Sequence, residues 1–272
     1  KASNVLTLPH ITAYAMDPVV NRPLAANPVF IAGMEMNRYL WASGASRQQC
    51  AQVVVKNKRN ALKNPTAPYG ANIEAQDVLR SEMVSYPLTV QDISPHADGA
   101  IALVLASAGV AESLTDAPIW IRGIGWCNDA SSLETRGWGR AIYAEGAGRQ
   151  AYEMAGIRNP MEEIDFAEIA DGCSYKELQH LEALGFCPFG EAGHLTAEGV
   201  TGIGGYLPVN VSGGSLGGGD LLDASGLRAV AEVALQLRGE AGSRQLPKVE
   251  TGLAFGWRGV PTTSGAAVVL NN

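Results

Sequence analysis

From residue 118 onward, strand-like and helix-like stretches take turns, and this alternation restricts the chain to a small set of folds. Residues 118–126, PIWIRGIGW, read as a strand, and 140–156 as a helix stopped by Gly156. In 163–171, EIDFAEIAD, Ile164, Phe166 and Ile169 alternate with acidic residues, as in a strand with one wet face. Ser174-Tyr175-Lys176-Glu177 has the spacing of a capping box and opens a helix that closes at Gly185. A glycine-rich loop, VNVSGGSLGGGDLLDASG over 209–226, leads into a helix at about 224–239, and strands near 248–256 and 265–271 follow. The order β-α-β-α-β-α-β-β predicts an α/β unit, a sheet with helices on its faces.

Ahead of that unit the pattern is different. Residues 1–27 lack periodicity and read as irregular. Asn27-Pro28 starts a helix that Gly44 stops, and Ser46-Arg47-Gln48-Gln49 is a capping-box signature for a second helix through about Asn60. Residues 98–107, DGAIALVLAS, form a short apolar run of the kind found in a buried strand, and the turn-rich 108–117 reads as a boundary. The chain opens on Lys1 and nothing before it resembles the start of a domain, which reads as a fragment.

Composition excludes several functions. A formal charge of −7 argues against a nucleic-acid surface. The one dense basic run, Lys56-Asn57-Lys58-Arg59, is either a solvated helix face or a contact for an anionic ligand such as a nucleotide phosphate. Cys50, Cys127, Cys173 and Cys187 are far apart, with no CxxC pair and no matching histidines, so no structural zinc site is expected and reduced cytosolic thiols are the default. No 18-residue apolar run and no signal-peptide pattern appears, which predicts a cytoplasmic protein without a membrane span.

The chemistry concentrates in the glycine-rich loop. Gly213, Gly214, Gly217, Gly218, Gly219 and Gly226 allow close backbone approach to a ligand or to another chain segment, and the following helix N-terminus favours an anion. There is no GxGxxG fingerprint and no P-loop lysine. Asp220 and Asp223 either cap the next helix or take part in chemistry. Asp171, Cys173 and Tyr175 follow a strand whose carboxyl end should lie near the loop, and Tyr175 is either a proton donor or a core residue with a satisfied hydroxyl. Among the histidines, His180 reads as a surface residue and His96 as a turn residue, while His194, in a glycine-rich stretch, stays open; His10 shares no spacing with them.

These segments resemble a known family. IDFAEIADGCSYKELQHLEALGF, followed by LPVNVSGGSLGGGDLLDASGLRAVAEVALQLRGEAG, resembles the thiolase superfamily, particularly its sterol-carrier-type and archaeal branch. NPTAP, SPHADGAIALVL and WRGVPTTSGAAVVL fit the same branch, so the resemblance runs over essentially all 272 residues. It implies a thiolase-like fold in which 1–107 are the loop domain and last strand of an incomplete N-terminal half, and 118–272 the C-terminal half. The family's nucleophilic cysteine belongs to the earlier part, and none of the four cysteines here takes its place.

Departures from the family motifs fall at polar positions. Counting from Asn210, the position of the family's base histidine is Asp220, and Leu221 and Asp223 replace the following proline and glycine. The HDCF segment aligns with Ala170-Asp171-Gly172-Cys173, and Gly259 stands where degradative thiolases have a second catalytic cysteine. The resemblance therefore implies Asp220 as the general base, with enolate stabilisation from backbone N–H groups around Gly217 to Gly219 or from Tyr175 or Tyr206, and Gly213, Gly214, Gly217, Gly218 and Gly219 lining the substrate. The implied activity makes or cleaves a carbon–carbon bond in a CoA thioester of a bulky or aromatic acyl group, by thiolysis or retro-aldol cleavage. CoA is then a substrate and no cofactor is bound. Implied partners are the missing N-terminal half, in cis or in trans, a second copy in a thiolase-type dimer, and a small subunit with an OB-fold and zinc ribbon. The alternative is a non-catalytic subunit that binds acyl-CoA or scaffolds an active partner.

Overall fold

A computed structural model of the chain describes residues 11, 14, 16–24, 27–130, 132–259 and 263–272; His10 lies outside them. The helix signals near the start are met in detail. Helix α1, Pro28–Ser43, begins where the Asn27 side chain accepts a hydrogen bond from the Phe30 N–H, and ends at Gly44, whose φ of 78° suits a residue without Cβ. Helix α2, Arg47–Ala61, carries the complete capping box of Ser46 and Gln49. A short helix α3, Ala75–Arg80, and a two-stranded hairpin of β1, Met83–Ser85, and β2, Leu88–Thr89, follow.

Residues 98–107 depart from expectation: they form no strand and lie largely exposed, Val104 to 93%. An apolar run becomes a buried strand only beside a neighbouring strand, and among the described residues no strand pairs with this one. The boundary at 108–117 is not all turn, because Ala108–Leu114 forms an exposed helix, α4.

The second unit follows the predicted order except at its third strand, which is reduced to an isolated bridge at Val209. Strand β3, Trp120–Asn128, leads to helix α5, Ile142–Ala155, and a one-turn helix α6, Pro160–Glu163, precedes β4, Phe166–Ile169. Helix α7, Ser174–Ala183, and the short α8, Ala192–Ala197, come next. After the glycine-rich turn α9, Gly214–Gly218, helix α10, Ser225–Leu237, joins β5, Thr251–Arg258, and β6, Ser264–Asn271. The strands lie in the order β3-β6-β5-β4, antiparallel except for β4 beside β5, and Val209 extends the parallel edge through a bridge to Ala167.

One face of the sheet is covered by α5 and α7 and the other by α10. The glycines of PIWIRGIGW explain how closely α5 packs: a Cβ at Gly125 would lie 2.1 Å from the Ala147 carbonyl oxygen, and one at Gly123 would lie 2.0 Å from that of Ala151. On the opposite face, Ile124 and Trp126 of β3 stay exposed, Trp126 to 67%. Beneath α5 and α7 the main core gathers Tyr143, Leu178, Leu181, Phe255 and Val269, and a second core under α10 gathers Phe166, Val233, Leu237 and Leu270.

Two local expectations fail for the same reason. Strand β4 has no wet face, because both of its sides are covered and all four residues, Glu168 included, are buried. Likewise Ser174 and Glu177 form no capping box. Ser174 Oγ donates to Asp92 at 2.6 Å and Glu177 turns into the interior, so tertiary partners outcompete the local cap. No helix among the described residues is long and apolar enough to cross a membrane.

Candidate active site around the glycine-rich loop

The chain between β4 and α7 supplies acids that hold the loop after Val209. Glu168 accepts from Ser212, through the backbone N–H at 3.0 Å and Oγ at 2.5 Å. Asp171 accepts from the backbone N–H groups of Ser215 at 2.5 Å and Leu216 at 3.1 Å, and from Asn57 Nδ2 at 2.8 Å. Glu177 accepts from Asn57 and Asn210 side chains, each at 2.7 Å, and pairs with Lys56 Nζ at 2.9 Å. All three carboxylates are fully buried. Burial, then the charge of Glu177, pushes Asp171 up to about 6. Burial, then Glu232, pushes Glu168 up to about 8.

Asn210 is fixed from four directions. Its side chain accepts from the Ile169 N–H and donates to Glu177, its N–H donates to the Ala167 carbonyl, and its own carbonyl accepts from Asn60. Its φ of 53° is a left-handed conformation that asparagine tolerates better than most residues.

The glycines serve close packing. A Cβ at Gly214 would lie 2.2 Å from Asp171 Oδ2, at Gly213 and Gly217 2.5 Å from Ala61 Cβ, and at Gly219 2.5 Å from Ala97 Cβ. Gly218 faces the Arg228 guanidinium, which donates to the Gly219 carbonyl at 2.7 Å and to Ser215 Oγ at 3.1 Å. The anion at the start of the α9 turn is thus the protein's own Asp171. The N–H groups of Gly217 and Gly219 donate to the carbonyls of Gly213 and Ser215.

Asp220 stands at the exit of this turn, half-buried. Its Oδ1 accepts from the Leu222 N–H at 2.9 Å and Ser225 Oγ at 2.7 Å, while Oδ2 accepts nothing from the described residues. Its backbone is tied to the segment before residue 98: its N–H donates to the Pro95 carbonyl, and its carbonyl accepts from Ala97. Asp223 is exposed and pairs with Arg258.

The two tyrosines do not join Asp220. Tyr175 is buried with its hydroxyl donating to Glu35 at 2.9 Å, which makes it a satisfied core residue. Tyr206 is 66% exposed and lines a cleft with Ile203, Pro208 and Lys248. His180 is no surface residue: it is fully buried, with Nδ1 against the Ala170 carbonyl at 2.8 Å and Nε2 against the Tyr143 hydroxyl at 2.9 Å. Since a carbonyl only accepts, Nδ1 carries the proton and Nε2 accepts from Tyr143. Tyr143 in turn accepts from Lys176 Nζ at 3.0 Å, and that ammonium also donates to Glu35 at 2.6 Å and Gln179 at 2.8 Å. His194 is exposed on α8, His96 is exposed but lies in an isolated parallel bridge to Asp220 rather than in a turn, and Cys50 is a core residue whose thiol burial pushes up.

Residues 129–272, more than half of the chain, match the family model described as "Thiolase C-terminal domain-like". The chain belongs to the thiolase family. It is 36% identical over 237 residues to the acetyl-CoA acetyltransferase of Methanothermobacter thermautotrophicus, which covers 87% of this chain and 61% of that protein. It is 32% identical to the benzoylsuccinyl-CoA thiolase subunit BbsB of Thauera aromatica, over 79% of this chain and 56% of that one. Among solved structures, the Ltp2-ChsH2(DUF35) aldolase superposes with a TM-score of 0.83 at 28% identity, covering 94% of this chain and 68% of that chain. The chain spans between about two fifths and three fifths of the length of the curated relatives it matches.

The carboxyl ends of β4 and β5 meet around an indole. Trp257 packs beside Gly172 and Gly259, where a Cβ would approach its ring to 3.3 and 3.2 Å. Lys176 Nζ lies 4.6 Å from its centroid, and the indole N–H is buried without an acceptor among the described residues. Sequence reading had placed glycines at 172 and 259 without seeing what fills the space between them. It also missed Asn57 and Asn60, although asparagines recurring on an otherwise apolar helix face were a visible sign of buried polar contacts.

Proposed function

We propose that this chain forms the loop domain and C-terminal half of a thiolase-like enzyme that makes or breaks a carbon–carbon bond in a CoA thioester, with Asp220 as general base. One observation carries the reading: Oδ1 of Asp220 is pinned by Leu222 and Ser225 while Oδ2 is left open, which is the state of an oriented proton acceptor. In retro-aldol cleavage, Oδ2 takes the proton of the β-hydroxyl, the carbon–carbon bond breaks to a carbonyl and a thioester enolate, and the enolate takes a proton on carbon. Thiolysis requires in addition a cysteine nucleophile, for which the preceding half is the source.

Bulky or aromatic acyl groups are the proposed substrates. Similarity to a benzoylsuccinyl-CoA thiolase subunit and to the Ltp2-ChsH2(DUF35) aldolase supports this choice and a partner subunit, for which a small chain with an OB-fold and zinc ribbon is the proposed kind. The exposed Ile124 and Trp126 face of β3, together with the largely exposed apolar run at 98–107, supports coverage by the preceding thiolase half, in cis or in trans. CoA is the substrate, and the proposed setting is a thiolase-type dimer in the cytoplasm.

The test is turnover of acyl-CoA thioesters by the full-length protein in its native complex, with native mass giving the composition. Loss of at least a hundredfold in kcat for Asp220→Asn with little change in KM supports the reading. Acyl-CoA binding without turnover, in a complex whose partner keeps its own cysteine and histidine, replaces it with the scaffolding alternative, which the missing histidine at position 220 favours.

A further inference from the structure

Behind α2, on the side away from the glycine-rich loop, lies a cleft of about 440 Å³ that the reading above does not use. Asn57 and Ala61 face the loop; Gln48, Gln52, Val55, Arg59 and Lys63 recur at helical spacing on the opposite face and line the cleft. Across from them lie the end of α8, at Thr196 and Ala197, and the turn through Ile203.

The lining is electrostatically one-sided. No aspartate or glutamate contributes to it, while Arg59 and Lys63 are exposed and form no ion pair among the described residues. Lys56 also lines it, but its charge is matched by Glu177. Gln52 adds a buried Oε1 that accepts no hydrogen bond from the described residues. Val55, Ala75, Ala197 and Ile203 supply apolar walls between these polar ends. Two unpaired cations call for an anion, the orphan acceptor calls for a donor, and the walls call for an apolar or flat body between the two.

We infer that this cleft is a binding site for a small phosphorylated ligand whose other end donates a hydrogen bond, the chemistry of a purine nucleotide, with Arg59 and Lys63 on the phosphate and Gln52 on the donor. The inference does not rest on the acyl-CoA reading, since neither Asp220 nor the glycine-rich loop lines the cleft. Lys56 and Asn60, which border the cleft, also hold the carbonyls of Val209 and Asn210.

The experiment is a titration of the full-length protein, methyl-labelled at isoleucine, with adenosine 5′-monophosphate, inorganic phosphate and adenosine in separate arms. The expected result is a saturable shift of the Ile203 methyl with the nucleotide, weaker by at least tenfold with phosphate alone and absent with adenosine. Arg59→Ala/Lys63→Ala, both at exposed positions, should weaken the nucleotide affinity by at least tenfold while leaving thioester turnover unchanged. No shift of Ile203 up to millimolar nucleotide, or the same affinity in the double variant, overturns the site. A shift equal for phosphate and nucleotide overturns the role of Gln52 and the apolar walls.

Discussion

The Asp171 carboxylate sits 2.5 Å from the backbone nitrogen of Ser215, occupying the anion position that a glycine-rich turn leaves open at its start. A loop that reads in sequence as a cradle for a ligand is filled by the protein's own acid.

Removing that acid should be costly. Asp171→Ala leaves the Ser215 and Leu216 N–H groups without their acceptor in a buried site and takes one of the two acceptors of Asn57 Nδ2. At about 1 to 3 kcal/mol for a buried group left unpaired, a loss of roughly 2 to 5 kcal/mol is expected. Urea denaturation should show it as a lower midpoint at unchanged slope.

Stability should fall as pH rises from about 4 to 8. Asp171 at about 6 and Glu168 at about 8 both stand above their ordinary values of 3.8 and 4.5. Between the unfolded and folded values the native state holds a proton that the unfolded chain releases, so the slope of unfolding free energy against pH is negative, up to about 1.4 kcal/mol per pH unit for each proton. The Glu168 share is present in full below about 4.5 and is gone above about 8. Glu168→Gln, which imitates the protonated acid, should match the parent near pH 4.5, exceed it in stability at pH 8 and flatten the profile. A parent profile that rises from pH 5 to 8 would refute the assignment.

The ion pair of Lys176 and Glu35 is buried, and the ammonium has a partner for each of its three donors. Lys176→Met strands the Glu35 carboxylate and should destabilise by about 3 to 5 kcal/mol. Lys176→Met/Glu35→Leu removes both charges and should lose less than the single variant, which thermal unfolding of the pair in parallel can decide.

Gly125 and Gly137 form a matched contrast. A Cβ at Gly125 meets the Ala147 carbonyl at 2.1 Å, whereas one at Gly137 meets nothing within 4 Å. Gly125→Ala should therefore cost about 1 to 3 kcal/mol by pushing α5 off the sheet, and Gly137→Ala should lie within about 0.5 kcal/mol of the parent. Equal midpoints for the two variants in denaturant would contradict this packing.

Much of this was legible because local chemistry decided it. Asn27-Pro28, Gly44, the Ser46 box and Gly156 act through the backbone within a few residues, and each helix end lies where those residues predict it. The Ser174 box failed because Asp92 and Asn210, distant in sequence, offered buried partners that no local spacing encodes. The same limit hid the site. Motif counting found Asp220, but whether Tyr175 or Tyr206 could reach it depended on the packing of α1 and on which side of the sheet edge the 203–208 turn falls. His180 was misread as a surface residue for a related reason: its helix is covered on every side, so position along the helix carried no signal.

The bed on which the glycine-rich loop rests comes from elsewhere in the chain. Ala61 and Asn57 of α2 shape the turn, yet they precede the residues 129–272 that define the family domain. Grafting that domain alone onto another member of the family would transplant the loop without its mould, and the transplanted loop would take the shape its new host's helix imposes.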